Sequence, residues 1–129
     1  MKEVISTKKA PEAVGPYSQA IRAEGFVFIS GMLPLDPESG QLVAGSIKEQ
    51  TRRVMDNLRG VLEEADSSLE EVVKTTLYLS DLADFPEANE IYAEYFRAPY
   101  PARATVGARG LPKGVSVEIE AVALSGGRR

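Results

Sequence analysis

One segment constrains the fold more than any other. From Ile47 to Ala65, the residues Ile47, Val54, Met55, Leu58, Val61, Leu62 and Ala65 recur at helical spacing. Ser46, with Glu49 three residues on, forms a capping box that satisfies unpaired N–H groups of a first helical turn. The segment reads as one long amphipathic helix whose apolar stripe needs a partner surface. A shorter helix is predicted over Pro86–Phe96, with a stripe of Ala88, Ile91, Tyr92, Tyr95 and Phe96. Asp84 is its expected cap, with Glu87 at the third helical position. Ser67–Val72 reads as one more short turn with the same cap logic.

The remaining apolar sequence behaves as strands. "FVFISG", Phe26–Gly31, is apolar at both parities, which predicts burial on both faces. In "VVKTTLYLS", Val73, Thr75, Leu77 and Leu79 face one way, and Lys74, Thr76, Tyr78 and Ser80 the other. "RATVGA" and "VSVEIEAVAL" are expected to close the chain as strands, joined by the turn-rich "RGLPKG". Leu35–Gln41, "LDPESGQ", reads as a tight turn joining two hairpin strands. Strands, helix, strand, helix, strands is the order of an α+β sandwich with helices on one face of a mixed sheet. On the last strand, Val115, Val117 and Ile119 should meet the helices. The opposite face carries Ser116, Glu118, Glu120, Val122 and Leu124. Aliphatics beside acids on that face, together with the doubly apolar "FVFI", favour a homo-oligomer that covers it.

Length and composition bound the chemistry. The 129 residues fit a single domain, residues 1–129, and 43% apolar content is too high for disorder. The densest apolar run is far below a membrane span, and the first residues lack the apolar centre of a signal peptide. A cytoplasmic location is the expectation, with no membrane partner. The net charge of −4 weakens a nucleic-acid reading, because phosphate neutralisation needs a basic surface. The polar tail Ser125–Arg129 reads as a frayed end. With no cysteine and no histidine, thiol nucleophiles, Ser-His-Asp catalysis and nearly all zinc chemistry fall away. Carboxylate, arginine, tyrosine, hydroxyl and backbone chemistry remain.

Folding the last two strands as a hairpin about Leu111 and Pro112 sets Arg103 near Glu120 and Thr105 near Glu118. All four would then share the sheet face away from the helices. Two readings stay open. Cross-strand Arg–Glu pairs are ordinary sheet surface, contributing roughly 0.2–1 kcal/mol. Alternatively, a guanidinium fork grips a substrate carboxylate while a glutamate takes a proton from water. That pair would suit hydrolysis of an already electrophilic substrate such as an imine, without selecting imines over others.

Five segments, "GPYSQAI", "ISGMLPLDPESG", "VVKTTLYLSDLADF", "YPARATV" and "VEIEAVAL", occur in order along nearly the whole chain. In them the sequence resembles the RidA/YjgF family of enamine/imine deaminases. The resemblance implies a chorismate-mutase-like α+β fold and a homotrimer packed through its sheets, with active sites in the clefts between subunits. It implies hydrolysis of 2-enamino and 2-imino acids, such as 2-iminobutanoate and 2-iminopropanoate, to 2-keto acids and ammonia, with no cofactor and no metal. These intermediates escape from pyridoxal-phosphate dehydratases, and their removal protects other pyridoxal-phosphate enzymes.

By the same resemblance, Arg103 would hold the substrate carboxylate and Glu118 would activate water. Tyr17 would line the pocket, the Ser30–Gly31 backbone would border the substrate, and Asn89 would lie nearby. Taken alone, Tyr17 is as well read as a core or interface aromatic and Asn89 as a helix-surface amide. Thr105 stands where many members have cysteine, and Met32 where glutamine often follows the serine–glycine pair. The resemblance also carries an alternative, a non-catalytic trimer that binds small carboxylates or acts in translation inhibition, RNA cleavage or chaperoning. The acidic charge and the lack of histidine argue against a ribonuclease.

Overall fold

The computed structural model describes residues 1–125. Two helices, α1 (Ile47–Glu64) and α2 (Phe85–Tyr95), lie on six strands: β1 (Glu3–Ile5), β2 (Ala20–Ala23), β3 (Phe26–Met32), β4 (Val72–Leu79), β5 (Ala102–Gly107) and β6 (Val117–Leu124). The sheet order is β1-β2-β3-β6-β4-β5. All neighbours are antiparallel except β4 and β5, which run parallel. This is the mixed-sheet α+β sandwich expected. The residues from Gly126 on lie outside the described ones, and Ser125, read as part of the tail, is fully buried.

The long helix forms as its pattern demands. Ser46 Oγ accepts from Glu49 N at 3.2 Å, and Glu49 Oε1 accepts from Ser46 N at 2.9 Å. Val54, Met55, Leu58, Val61 and Leu62 are fully buried against Val27, Leu77, Val117 and Ile119 in one core. Arg22 of β2 ties down the helix end, donating to the Ala65 carbonyl at 2.6 Å and pairing with Glu3 at 2.8 Å. The second helix starts one residue before the predicted position. Asp84 makes no side-chain cap bond there. Asp81 instead caps the preceding short turn, accepting from Ala83 N at 2.9 Å. The Ser67–Val72 turn is a short helical turn over Leu69–Glu71, without a side-chain cap from Ser68.

Three expectations are corrected. The last two strands are not a hairpin. After β4 the chain crosses the sheet face through α2 and returns parallel as β5, as a strand–helix–strand crossover must. The "RGLPKG" loop then passes the end of β4, with Ala108 N donating to Leu79 O at 2.8 Å and Ser80 N to Ser116 O at 3.1 Å. It delivers β6 to the other side of β4. Second, a bulge between Val72 and Lys74 breaks the alternation of β4, so Val72 faces the core and Val73 is exposed. Third, Asp36 does organise a tight turn, its Oδ1 accepting from Glu38 N and Ser39 N. Among the described residues its flanks make a single bridge, Leu35 to Leu42, and Pro34 has no N–H with which to extend the ladder. Within the single chain, Val27 and Ile29 of β3 lie in the core, while Phe26 is 38% and Phe28 48% exposed.

Among the described residues no layer covers that second face of the sheet. Phe26 pairs with Leu124 and Phe28 with Val122, and Ile21 and Val4 continue the row. Among the described residues no helix is long and apolar enough to cross a membrane.

Candidate active site

Arg103 is placed by β5, the outer strand. Its register partner is Thr75, whose side chain is fully buried toward the helices. Paired residues on neighbouring strands point to one side, so Arg103 and, two residues on, Thr105 lie on the helix side of the sheet. The guanidinium reaches α2. Its Nη1 donates to Asn89 Oδ1 at 2.7 Å, and its carbon stands 4.8 Å from the centre of the Tyr92 ring and 5.3 Å from that of Phe85. A pocket of about 440 Å³ opens here, lined by Asn89, Tyr92, Ala93, Tyr100, Pro101 and Arg103. Arginine, with five N–H donors, thus meets an open cavity with one of them tied to Asn89.

Glu118 lies on the opposite face. On β6 it pairs with Tyr78, and Glu120 pairs with Thr76. The β5 residue in register with Thr76 is Ala104, not Arg103. The expectation that Arg103 and Thr105 share a face with Glu118 and Glu120 is therefore overturned. The insertion of β4 between β5 and β6 sets the register, and a one-residue step moves a side chain to the other face.

The Glu118 carboxylate rests on the backbone of Gly31. A Cβ at that position would collide with Glu118 Oε2 and stand 2.8 Å from Cδ. The β3–β6 register shifts between Ile29 and Met32, so Ser30 and Gly31 form an irregular turn of strand beneath the carboxylate. Burial, and secondarily the charge of Glu120, raises the pKa of Glu118 above the usual carboxylate value. Glu120 Oε1 accepts from the Tyr78 hydroxyl at 3.2 Å. Met32 is buried in the core, not on a pocket wall.

The amino-terminal loop completes this second group. Ser30 N donates to Gln19 O at 3.0 Å, and Ser30 Oγ to Ser18 O at 2.6 Å. This docks the loop that carries Tyr17, itself exposed, its phenol oxygen accepting from Val14 N at 3.4 Å. Gln19 holds the loop shut: its buried amide donates to the carbonyls of Thr7, Ala10 and Pro11 and accepts from Thr7 N at 2.7 Å. A shallow groove of about 320 Å³ follows, lined by Ser18, Ile21, Phe28, Ser30, Glu120 and Val122 among others.

The expected site residues thus fall into two groups: Arg103, Asn89 and Thr105 on the helix side, and Glu118, Ser30, Gly31 and the Tyr17 loop toward the open face. Sequence reasoning missed Phe85 and the ring face of Tyr92. Their spacing to Asn89 along α2 was the available signal. It missed the Tyr78–Glu120 bond, which only strand register reveals. Among the described residues no group of three or more Asp or Glu side chains is arranged to hold a metal ion.

The family model described as Endoribonuclease L-PSP matches residues 7–125. A RutC family protein of Pyrococcus abyssi is 55% identical, covering 95% of this chain and 96% of that one. The human 2-iminobutanoate/2-iminopropanoate deaminase is 47% identical, covering 98% of this chain and 92% of its own. The crystal structure of YyfA from Yersinia pestis, a protein of unknown function in the conserved Rid family, superposes with a TM-score of 0.94 at 45% identity, covering 96% and 99% of the two chains. With its sandwich, its strand order and its full-length sequence likeness all in agreement, the chain belongs to the RidA/YjgF family, whose model bears the Endoribonuclease L-PSP description.

Proposed function

We propose that this chain hydrolyses short 2-imino and 2-enamino acids to 2-keto acids and ammonia, at a site assembled from two copies of itself. The observation that carries the reading is Arg103, a guanidinium held in place by α2 with N–H groups left over at an open pocket. That is the equipment for gripping a small carboxylate in two-pronged fashion. The human relative's name, 2-iminobutanoate/2-iminopropanoate deaminase, specifies a substrate with such a carboxylate.

The chemistry needs little else. Arg103 holds the carboxylate and thereby orients the adjacent C=N group. Glu118, half-buried and with a raised pKa, accepts a proton from water as the water oxygen bonds to the imine carbon. Glu118 returns that proton to the imine nitrogen, which gives the carbinolamine. It then takes the proton of the new hydroxyl and passes it to the nitrogen as C=O forms and the C–N bond breaks, so ammonia leaves and the carboxylate is regenerated. Asn89 would support the Arg103 end, and Gly31 and Ser30 backbone the Glu118 end. Tyr17 would line the cavity, and Thr105 would border it beside Arg103.

Because Arg103 and Glu118 lie on opposite faces of one sheet, the reading requires a neighbouring copy to bring its own Glu118 face to Arg103. The apolar row of Phe26, Phe28, Val122 and Leu124 favours such a neighbour, and a closed homotrimer is the proposed assembly. By consuming reactive imines, the protein would protect pyridoxal-phosphate enzymes. A cytoplasmic setting beside a dehydratase fits that role.

The test couples threonine dehydratase to the protein and follows imine decay. Wild type should accelerate it. Arg103→Ala should remove most of the acceleration, and Arg103→Lys much of it, since an ammonium lacks the fork. No acceleration over buffer would overturn the assignment. The family model's description favours one second reading, RNA cleavage. The net charge of −4 opposes it, and salt-sensitive RNA binding would revive it.

A further inference from the structure

Helix α2 aligns Phe85, Asn89 and Tyr92 at steps of four and three residues, which puts them on one helix face, with Phe96 in extended backbone just past the helix end. The sequence pattern assigned Tyr92 and Phe96 to the core stripe and Asn89 to the surface. In the fold that face ends on Arg103. Phe96 backs the Tyr92 ring at 4.7 Å between centroids, and Tyr92 and Phe85 meet the guanidinium at 4.8 and 5.3 Å. The Tyr92 hydroxyl bonds Thr75 Oγ1 at 2.8 Å in the buried core. Thr75 is itself the strand partner of Arg103. The ring is thus fixed from behind by Phe96 and at its tip by Thr75, and the same strand pair that fixes its tip also places the Arg103 backbone.

We infer that Tyr92 and Phe85 are positioning residues that hold the plane of the Arg103 guanidinium ready for a carboxylate, and that the ring of Tyr92, not its hydroxyl, does so. The inference rests on the proposed carboxylate-binding role of Arg103. A guanidinium is a planar fork, and its two-pronged grip works in only one orientation of that plane. Asn89 alone fixes one nitrogen and leaves rotation about that bond. Ring faces on the guanidinium restrain the rotation and supply favourable charge–quadrupole contact. Burial, the larger influence, pushes the Tyr92 hydroxyl upward in pKa despite the nearby guanidinium, so the ring stays neutral and offers no rival anion.

Two properties of Tyr92 can be separated. Tyr92→Phe removes the buried bond to Thr75 and keeps the ring face. Tyr92→Leu removes the ring. The experiment measures pyruvate binding by calorimetry, dehydratase-coupled imine hydrolysis, and thermal unfolding for wild type, Tyr92→Phe, Tyr92→Leu and Phe85→Leu. Tyr92→Leu is also placed in an Arg103→Ala background.

Tyr92→Phe should lower the melting temperature yet keep KM and pyruvate affinity within about threefold. Tyr92→Leu should weaken pyruvate binding and raise KM by about tenfold or more, with kcat changing less, the mark of lost uniform binding. Phe85→Leu should act the same way to a smaller degree, and it carries the test if Tyr92→Leu does not fold. In the Arg103→Ala background, Tyr92→Leu should add nothing further to the loss of binding. Unchanged KM and affinity in Tyr92→Leu and Phe85→Leu would overturn the inference while leaving the function intact. So would an equal effect of Tyr92→Leu with and without Arg103. A wild-type protein that neither binds pyruvate nor hydrolyses imine would overturn the reading of function, and this inference with it.

Discussion

Glu118 has two reasons to hold its proton longer than a free glutamate: first its burial, then the negative charge of Glu120 on the same strand face. As the proposed base it must be ionised, so the rate of imine hydrolysis should fall as pH drops through its raised pKa. Glu120→Gln removes the second reason and leaves the first. The acid limb of kcat/KM should therefore move to lower pH in that variant, and a pH–rate profile measures the shift. Glu118→Gln should slow turnover by about 10²–10⁴-fold where Glu118 is ionised, and the gap to wild type should narrow at lower pH.

Gly31 tests the seat of the same carboxylate. Its backbone is not in the left-handed region, so a side chain there costs no backbone strain, but its Cβ would occupy the Glu118 carboxylate's place. The obstructing atoms are the mobile end of a long side chain, and they can move away cheaply. Gly31→Ala should therefore change stability by less than about 1 kcal/mol. It should cut kcat by roughly 10–100-fold, because small misplacements of a reacting group are costly. Thermal melts alongside initial rates separate the two effects.

At the scale of elements, what was legible in the sequence was what each segment does by itself. The stripe of α1 and its Ser46–Glu49 cap are local, and both appear as read. The inward face of β6 is likewise a local alternation, and Val115, Val117 and Ile119 are buried. Pairing was not legible, because a strand's own pattern does not name its neighbour. Arg103 to Val106 reads the same whether it pairs with β4 or β6, and the choice was made by the α2 crossover. The Val72–Lys74 bulge escaped for a related reason, since one inserted residue reverses parity without changing composition.

A buried amide inside α1 was equally silent. Asn57, fully buried, donates to the carbonyls of Leu33 and Leu35, both at 3.0 Å, and accepts from Arg53 Nε at 3.1 Å. It fastens the chain leaving β3, just beyond the Ser30–Gly31 seat, to the main helix. Asn57→Ala leaves those carbonyls without their donor and should cost about 2–3 kcal/mol. Chemical denaturation would read this as a lower midpoint at unchanged slope.

At the scale of the whole molecule, the two groups of candidate site residues face opposite ways, and that arrangement separates two kinds of assembly. If a site formed within one chain, each inactive variant would stay inactive in any mixture. If Arg103 of one copy serves with Glu118 of the next, an Arg103→Ala chain still contributes a sound Glu118 face, and a Glu118→Gln chain a sound Arg103. Unfolding the two variants together and refolding them at equal amounts should produce rings in which some interfaces join the two sound halves. For random assembly into a closed ring with one directional site per interface, on the order of a quarter of the sites are whole. The mixture should therefore recover about that fraction of wild-type imine hydrolysis, while either variant refolded alone stays near its own residual rate. Recovery near zero, with mixed oligomers demonstrated by mass, would place both residues' work within a single chain. The open apolar row supplies the companion readout: Phe28→Glu puts a charge opposite Val122 on the face proposed to be covered. It should dissociate the assembly and abolish activity together, although Phe28 lies in neither group of site residues.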